Sequence, residues 1–429
     1  MKKFYSLVAA ALLLPASALA QDFDLSGVSQ LFEHDLAAKF GVTNASTIHP
    51  TLAKCGTDIV LNLGDGSAPI YLGAASGEKI GDITLGEANP SGCVVSDCKG
   101  NMLIMNYAES GSTLKVYKLS APSETPSLFF TWDNACGLPV GHQAQVQGDL
   151  NGTASIIATL EGIPQVVGSS HIVRWEVSNG SVGEPEIIEI TGINTWMTID
   201  NSAKVAAKST NKADGYFLAH YDGGANNFYH IDGTSNTIDA TVSPIGSGAE
   251  WGQGYNCCDS RDFGGYNFTV LFIQGYWPNW GLPGSLHLFN TTTLNGFTGN
   301  VTDAEIGNVS ISDFETISYP GDNRCGDVLL DATDTSLAVY YVSNTHLGIG
   351  GVSLYGEVNG IDTPNAVAAK GFRAYGAKGA IVVENNGATV EVYNAAGAAV
   401  ARTNNSEINV APGLYIVKVA GNTQKVLVK

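Results

Sequence analysis

Short runs of apolar and β-branched residues, separated by turn residues, recur along most of the chain. Their alternation and their length are typical of β-strands rather than helices. Over residues 21–357 the runs fall into groups of four. The second runs are the clearest, at 58–63, 102–107, 154–160, 205–209, 267–274 and 336–343. Third runs follow at 70–74, 113–119, 171–177, 216–221, 285–290 and 351–355.

The spacing of these groups predicts an all-β fold built from a repeated unit. Successive second runs start 44 to 69 residues apart, as expected for the four-stranded blades of a β-propeller. The last group has three obvious runs, and the N-terminal run 29–36 is predicted to supply its fourth strand and so remove an exposed edge. We predict a six- (or seven-) bladed β-propeller over residues 21–360, with a long two-sheet sandwich as the alternative.

The first twenty residues have the order of a signal peptide. Lys2 and Lys3 precede an apolar run over residues 4–14, Pro15 ends it, and Ala18-Leu-Ala20 matches a cleavage site. No later segment approaches the about 18 uninterrupted apolar residues of a membrane-spanning helix. The sequence therefore predicts an exported chain that begins at Gln21 and has no transmembrane segment.

The C-terminal residues 375–429 differ in kind from the repeats. Strand-like alternation continues, but the charge reverses: residues 21–365 carry 12 basic and 37 acidic residues, a balance of −25, whereas residues from 366 onward carry 7 basic and 3 acidic residues, a balance of +4. The turn residues at 360–364 mark a boundary. We therefore predict a linker over residues 361–374 and a separate small domain after it.

Several spaced segments stand out in this C-terminal region: VEVYN (390–394), Gly397, PGLY (412–415), VKV (417–419) and KVLVK (425–429). With these segments the region resembles the type A C-terminal sorting domain of the type IX secretion system of Bacteroidetes-type bacteria. The resemblance implies a small Ig-like β-sandwich, transfer by the type IX secretion machinery from the periplasm across the outer membrane, and often removal of the domain. The protein would then be secreted or held at the outer cell surface. An ordinary β-sandwich appendage is the alternative.

Further segments stand out in the body of the chain: VVSD (94–97), GNML (100–103), LKVY (114–117), the segment around Pro126, VQGD (146–149) with Gly152, and GDVLL (326–330). With these segments the body resembles an uncharacterised group of Bacteroidetes secreted propellers, which supplies no established activity.

The charge balance limits the class of partner. The whole chain has 40 acidic and 21 basic residues and a formal net charge of −19. Nucleic-acid binding depends on clustered lysine and arginine. The acidity lies in the predicted propeller, so nucleic acid and anionic membranes are poor partners for it.

Aromatic residues predict a ligand-binding face. In a blade whose strands alternate in direction, the loop between the second and third strands and the loop between blades emerge on the same side. Aromatic rings in such loops stack on sugars or anchor a protein partner, but they also pack loops against a blade. The predicted ligand-binding residues, all in such loops of the fifth blade, are Trp251, Tyr255, Tyr276, Trp277 and Trp280. Trp132, His142 and His346 are predicted to lie in loops on the same face.

Seven cysteines in an exported chain favour disulfides and leave at least one thiol over. Cys93 and Cys98 are one candidate pair. Cys257 and Cys258 form either a vicinal disulfide or bonds to other cysteines. No CxxC or HxxxH spacing indicates zinc, and the run 149–152 (DLNG) predicts a turn rather than a calcium loop. We therefore expect no metal and no cofactor.

Three functions remain open on these observations. The leading one is a non-catalytic binding module for a glycan or a protein. The first alternative is a polysaccharide hydrolase or lyase that uses carboxylates near the propeller axis. The second is a structural component of the surface layer.

Overall fold

A computed structural model of the chain describes residues 28–162, 170–193, 203–221, 226–243, 253–275, 284–312, 314, 325–356, 373–377, 379–384, 388–394, 398–419 and 422–428. These residues form two compact units, one that ends at Gly356 and one that begins at Arg373. Nearly all of the regular structure is β-strand. Within the described residues, none of the helices has the length and apolarity needed to cross a bilayer.

Six small sheets, predominantly antiparallel, make up the first unit. In the first three sheets, strands that are consecutive in sequence pair with one another, apart from β13 and β14, which both pair with β12. The first sheet contains β2 (Thr51–Cys55), β3 (Asp58–Asn62), β4 (Ile70–Leu72) and β5 (Lys79–Asp82). The second contains β6 (Val94–Ser96), β7 (Met102–Met105), β8 (Thr113–Leu119) and β9 (Ser127–Asp133). The third contains β10 (Val140–Gly148), β11 (Thr153–Leu160), β12 (His171–Ser178), β13 (Ser181–Val182) and β14 (Glu186–Glu189).

The other three sheets follow the same plan with two additions, a parallel strand and an N-terminal strand. The fourth contains β15 (Val205–Ala207), β16 (Tyr216–Tyr221), β17 (Asn226–Ile231), β18 (Ile238–Ser243) and the parallel β22 (Thr298–Asn300). The fifth contains β19 (Gln253–Phe263), β20 (Tyr266–Gly275), β21 (Ser285–Asn290) and β23 (Gly307–Ser310). The sixth contains β24 (Gly326–Ala332), β25 (Leu337–Ser343), β26 (Gly348–Tyr355) and β1 (Ser29–Asp35). Single-turn helices occur at α1 (Leu36–Phe40), α2 (Val301–Ala304) and, as 3₁₀ helices, at Ala45–Thr47 and Lys212–Asp214.

The six sheets follow one another around a closed, propeller-like ring. Their first strands contact each other in the cyclic order β2, β6, β10, β15, β19, β24 and back to β2. Each neighbouring pair of sheets shares one apolar core, and the pair formed by the sixth and first sheets does so too. The second strands, such as β7 and β11, are covered on both faces, so they are buried at nearly every position. The first strands line the ring and also carry polar residues, as β10 does.

The predicted strand from the N-terminal run is confirmed. β1 pairs antiparallel with β26, from Ser29 opposite Ser353 to Asp35 opposite Gly348. Phe32 is 7% exposed and packs in the core between the sixth and first sheets. Glu33 accepts a hydrogen bond from the Ser312 hydroxyl at 2.6 Å. The last sheet is thus completed by the start of the chain.

The strand order of the fourth group differs from the prediction. Residues 205–207 form the first strand of this sheet and residues 216–221 the second, one place earlier than expected. Val205, Ala206 and Ala207 are all buried. In this sheet the first strand is as fully buried as a second strand, so it produces the same short apolar run, and the sequence pattern does not separate the two.

The second unit consists of two antiparallel sheets that share one apolar core. Valine supplies most of this core, which suits strands with one buried face. One sheet contains β27 (Arg373–Ala377), β28 (Ala380–Glu384) and β31 (Glu407–Asn409). The other contains β29 (Val390–Asn394), β30 (Ala399–Thr403), β32 (Gly413–Val419) and β33 (Asn422–Val428).

Candidate functional site

The beginnings of several first strands meet on one face of the ring. His49, just before β2, stacks on His142 near the start of β10, with ring centroids 4.3 Å apart. Lys204, just before β15, forms an ion pair of 2.7 Å with Asp327 near the start of β24. Because the strands alternate in direction, the loops between second and third strands also emerge here. Residues distant in sequence therefore come together on this face.

A column of three rings forms the centre of this face. His142 lies between His49 and Tyr107, and the Tyr107 and His142 centroids are 4.1 Å apart with planes inclined by 25°. Tyr107 follows the second strand of the second sheet, and its backbone amide donates to the Ser91 hydroxyl at 3.2 Å. The His142 side chain remains 18% exposed. The column thus reaches solvent while its base is buried.

A buried carboxylate orients the central histidine. Glu161 follows β11, is 2% exposed, and has one oxygen 2.8 Å from the His142 Nδ1. Its other oxygen accepts the His142 backbone amide at 3.1 Å. A carboxylate that is hydrogen-bonded to Nδ1 fixes the orientation of the ring and directs Nε2 away from the pair. Nε2 of His142 is therefore the ring nitrogen left for a ligand on this face.

A β-bulge in β10 aims these side chains. The pairing of β10 with β11 shifts between Val140 and Ala144, and Gly141 in the bulge has a φ of +123°. A Cβ at Gly141 would lie 2.5 Å from the Asn106 carbonyl oxygen. Only glycine combines this backbone angle with so close an approach. Bulges redirect side chains at functional sites, and this one places His142 and Gln143 at the centre of the ring.

His49 and Gln143 carry buried hydrogen-bonding atoms that no described residue satisfies. Both ring nitrogens of His49 and the Oε1 of Gln143 lack a partner within the described part of the chain. His49 is 8% exposed and Gln143 1%. Burial lowers the pKa of His49 well below its usual value, and the neighbouring His142 lowers it further. His49 is therefore neutral at physiological pH, with one nitrogen to donate and one to accept.

Polar side chains fill the ring beneath this face. Gln143 Nε2 donates to the Gly326 carbonyl at 3.0 Å, and Gln145 Nε2 donates to Asp259 at 3.0 Å. Burial alone would lower the pKa of Lys204, but the carboxylates of Asp327 and Asp259 raise it above its usual value. The ammonium stays charged and ties the fourth sheet to the sixth. Hydrogen-bonded polar side chains therefore line the interior of the ring below this face.

We call His49, Tyr107, His142, Gln143 and Glu161 the ring-face cluster. Burial raises the pKa of Tyr107 to about 12, with the Glu161 and Glu109 charges adding to the rise, so its hydroxyl stays protonated and able to donate. The cluster thus offers ring faces, a hydroxyl donor, imidazole nitrogens and an amide oxygen within one small area. This set suits recognition of a polar molecule with several hydroxyl or amide groups.

Most of the predicted aromatic ligand-binding residues lie outside the described part of the chain. Trp251, Tyr276, Trp277 and Trp280 fall outside the described residues. Tyr255 belongs to β19 and pairs with Ile273, but its side chain is outside the described residues as well. Their role stays a prediction.

Of the other three residues expected in loops on this face, two lie in strands and one lies in a loop. Trp132 lies instead in β9 and packs edge-on against Trp175 at 5.5 Å, since residues 127–133 continue the pairing with β8. His142 is in β10 rather than a loop, whereas His346 does lie between β25 and β26 and is buried. Sequence reasoning missed His49, Tyr107, Gln143 and Glu161. The Gly141-His142 step at the start of a strand was the one available signal.

The structure forms neither of the predicted cysteine pairs. Cys93 stands just before β6, where it is buried and its thiol faces Met105. Cys98 follows β6, and its thiol is 3.0 Å from the Gly148 carbonyl oxygen. Cys257 and Cys258 are consecutive residues of β19. Consecutive side chains of a strand point to opposite faces, so these two thiols enter different apolar cores.

The run 149–152 forms a turn, as predicted. Gly152 N donates to the Asp149 carbonyl at 3.0 Å, and Asn151 N donates to the Asp149 carboxylate at 2.8 Å. Asp149 thus closes the turn between β10 and β11 with both its backbone carbonyl and its side-chain carboxylate. Among the described residues, no group of three or more histidine, cysteine, aspartate or glutamate side chains is placed to hold a metal ion.

A family model described as "Domain of unknown function (DUF8500)" matches residues 30–355, from β1 to β26. The chain belongs to the DUF8500 family. The match covers all six sheets of the first unit, including the N-terminal strand that completes the sixth, and it ends before the second unit. We call the first unit the DUF8500 unit. No curated protein matches the chain.

Several solved structures resemble the chain. A DUF4623 family protein from Bacteroides eggerthii is 11% identical, with 74% of this chain and 73% of that chain covered and a TM-score of 0.50. The native arabinanase of Bacillus subtilis is 12% identical, with 76% and 97% covered and a TM-score of 0.34. The hydrazine synthase of Kuenenia stuttgartiensis is 9% identical, with 89% and 96% covered and a TM-score of 0.38. At 11% identity, the first likeness is one of fold alone.

Proposed function

We propose that the DUF8500 unit is a ligand-binding domain of an exported protein and that the ring-face cluster is its binding site. One observation carries this proposal. His49 and Gln143 keep three buried polar atoms without a partner among the described residues, directly beside the partly exposed His142. A buried polar atom without a partner costs about 1–3 kcal/mol. A polar ligand that reaches these atoms would recover that free energy.

The proposed architecture is a six-bladed β-propeller. Six sheets in cyclic contact, an apolar core between every neighbouring pair, and closure by β1 support six blades rather than seven. The sequence predicts loops with Trp251, Trp277 and Trp280 on the face where the first strands begin, and these residues lie outside the described part of the chain. Their joint action with the ring-face cluster is part of the proposal and is tested by the double substitution of Trp277 and Trp280.

The ligand we propose is a glycan. Sugar rings stack on aromatic planes, and their hydroxyl groups donate and accept hydrogen bonds in turn. The cluster supplies both kinds of contact: the Tyr107 ring, the neutral His49 and the Gln143 oxygen. The buried Glu161 adds negative charge and so disfavours an anionic ligand. A protein ligand is the other candidate from the sequence, favoured by the loop tryptophans alone.

Binding to neutral glycans tests this proposal. The mature chain from Gln21 is titrated with oligosaccharides selected on a glycan array, and Tyr107→Ala and His142→Ala are expected to weaken binding about tenfold, or about 1.4 kcal/mol. Tyr355→Ala is the matched control, because Tyr355 is a 51% exposed aromatic residue at the far end of β26. If Tyr107→Ala and His142→Ala bind the glycan as tightly as Tyr355→Ala and the unsubstituted chain do, the ring-face site is refuted.

The rival functions have distinct outcomes in the same material. Release of reducing ends from a polysaccharide, abolished by Glu161→Gln, would indicate a hydrolase. Recovery of the chain in cell-surface complexes without glycan binding would indicate a structural component. Loss of Trp277 and Trp280 by double alanine substitution, with the fold unchanged, is expected to reduce binding if these loops contribute.

We also propose export by the type IX secretion system, with residues 375–429 as an Ig-like sorting domain. The two-sheet second unit and its reversed charge support this. Deletion of residues 375–429 is expected to retain the protein in the periplasm, measured by cell fractionation. Surface display of the truncated chain would contradict it.

A further inference from the structure

Three side chains in the fifth sheet form a continuous hydrogen-bonded chain. The Ser285 hydroxyl oxygen is 2.8 Å from Nε2 of His287, and Nδ1 of the same ring pairs with a carboxylate oxygen of Glu305. Ser285 and His287 are two residues apart on β21, so they lie on the same face of the strand. This is the order nucleophile, base and carboxylate that activates serine in unrelated folds.

The fold holds Glu305 firmly in this place. The carboxylate follows α2 and precedes β23, and His287 is paired with Asn308 in the register of β21 with β23. The Asn308 side-chain amide donates to the second Glu305 oxygen at 2.7 Å. The Ile306 backbone amide donates to the Leu288 carbonyl at 2.8 Å. The orientation of His287 is therefore fixed by a carboxylate that is itself fixed.

Burial prepares the imidazole as a base. His287 is 3% exposed, and the Glu305 side chain is 8% exposed. Burial lowers the pKa of His287, and the hydrogen bond and charge of Glu305 offset only part of that effect. The ring is neutral at physiological pH, with its proton on Nδ1 and a lone pair on Nε2. Ser285 is half-buried, whereas the side chains of His287 and Glu305 are buried, so Ser285 is the most exposed residue of the three.

The other histidine–carboxylate pairs of the described residues lack the hydroxyl. His230 pairs with Asp239 through Nδ1, but its Nε2 is 3.1 Å from the backbone carbonyl of Asp214. His142 pairs with Glu161 and stacks between two rings. These two pairs show that a carboxylate is sufficient to hold a histidine in place. The His287–Glu305 pair of the fifth sheet differs from them because the Ser285 hydroxyl lies on its second ring nitrogen, Nε2.

We propose that Ser285, His287 and Glu305 form a nucleophilic triad that hydrolyses a carboxylic ester. The Ser285 Oγ forms a bond to the acyl carbon while its proton passes to Nε2 of His287. The bond from that carbon to the alcohol oxygen breaks, and the alcohol leaves with the proton from His287. Water, deprotonated by His287, then attacks the acyl-serine and releases the carboxylic acid, and Ser285 regains its proton. Ester and water become acid and alcohol.

An ester fits this site better than an amide does. The step needs one proton carrier, and His287 is the carrier that the described residues place on Ser285. Without a proton, an alkoxide leaves more readily than an amide anion, so an ester depends less than an amide on proton transfer from that single carrier. Glu305 is a positioning residue, because it acts on the substrate only through His287.

Covalent labelling of the full chain tests the proposal. A fluorophosphonate probe is expected to modify Ser285, located by mass spectrometry, and p-nitrophenyl acetate is expected to be hydrolysed. Ser285→Ala and His287→Gln should each reduce labelling or hydrolysis by at least about a hundredfold, the scale of general-base catalysis. Ser310→Ala is the matched control and should retain both, since Ser310 is exposed and lies directly opposite Ser285.

A pH profile separates catalysis from structure. Hydrolysis should be constant at neutral pH and fall as the pH drops through the lowered pKa of His287. Glu305→Gln should lower the plateau and move the acid limb to lower pH, because Glu305 raises the pKa of that ring. A purely structural carboxylate would change the thermal stability without moving the limb.

Two results would overturn the proposal. One is a folded wild-type chain in which the probe labels no serine, or labels one other than Ser285. The other is Ser285→Ala with unchanged hydrolysis. If Ser285→Ala fails to fold, Ser285→Cys replaces it, and its thiol must react with iodoacetamide at least about tenfold faster than in a Ser285→Cys/His287→Gln chain, the lower range expected for a base-activated nucleophile. Equal rates would count against the triad.

Discussion

Replacement of Lys204 by methionine removes one buried cation from the polar interior of the ring. Lys204 and Asp327 are 3% and 1% exposed, and their charged atoms are 2.7 Å apart. The Lys204 ammonium also donates to the Val328 carbonyl at 2.8 Å. Methionine keeps the length and most of the packing of the lysine stem. The Lys204→Met chain therefore isolates the effect of losing the buried positive charge.

The expected loss of stability is large because Asp327 cannot leave its position. Its oxygens accept the backbone amides of Leu52 and Val328, both at 2.8 Å, and so join β2 to β24. Removal of one partner of a buried ion pair costs about 3–5 kcal/mol, since the remaining charge is desolvated without compensation. A second change, Asp327→Asn, removes that charge while an amide oxygen remains to accept the Leu52 amide. The double variant should therefore be more stable than Lys204→Met alone.

Equilibrium urea unfolding, followed by near-ultraviolet circular dichroism, measures these differences. Lys79→Met is the matched control, because Lys79 and Asp82 also form a 2.7 Å pair but are 46% and 53% exposed. An exposed pair contributes at most about 1 kcal/mol. A loss below about 1 kcal/mol for Lys204→Met, or purely additive effects of the two changes, would refute the idea that this pair is a buried and coupled one.

Three further predictions follow from burial and backbone geometry. Phe32→Ala should destabilise the DUF8500 unit by about 3–5 kcal/mol, because its ring fills the core that joins the last sheet to the first; an unchanged melting temperature would argue against closure by β1. Gly141→Ala should weaken glycan binding more than it affects melting, since it disturbs the bulge that aims His142; undiminished binding would contradict this. His49 has a lowered pKa in the fold, so below about pH 6.5 the unfolded chain takes up the proton first and stability falls with decreasing pH. His49→Phe should show a smaller drop in melting temperature between about pH 7.5 and 5, and an equal drop in both chains would exclude His49 as a source.

The strands were predictable because their pattern is local. Residues 113–119 and 285–290 form β8 and β21 with the predicted bounds, since alternation and β-branched residues report the burial of one or both faces. The error at residues 205–209 has the same origin. Burial of β15 on both faces erases the alternation, so this first strand has the sequence pattern of a second strand.

The sites were not predictable, because each depends on residues that the sequence keeps far apart. His49, Tyr107 and His142 meet only because three sheets bring their ends to the centre of one ring. Ser285 and His287 are neighbours by strand periodicity, but Glu305 reaches them only through the register of β21 with β23. Adjacent cysteines suggested a bond, and strand alternation sends them into different cores. The sequence by itself determined the all-β architecture, its repeated unit and the acidity of the ring, since these follow from local burial and composition. Tertiary structure alone decided which polar groups meet, because a hydrogen bond depends on distances that only the closed ring of sheets sets.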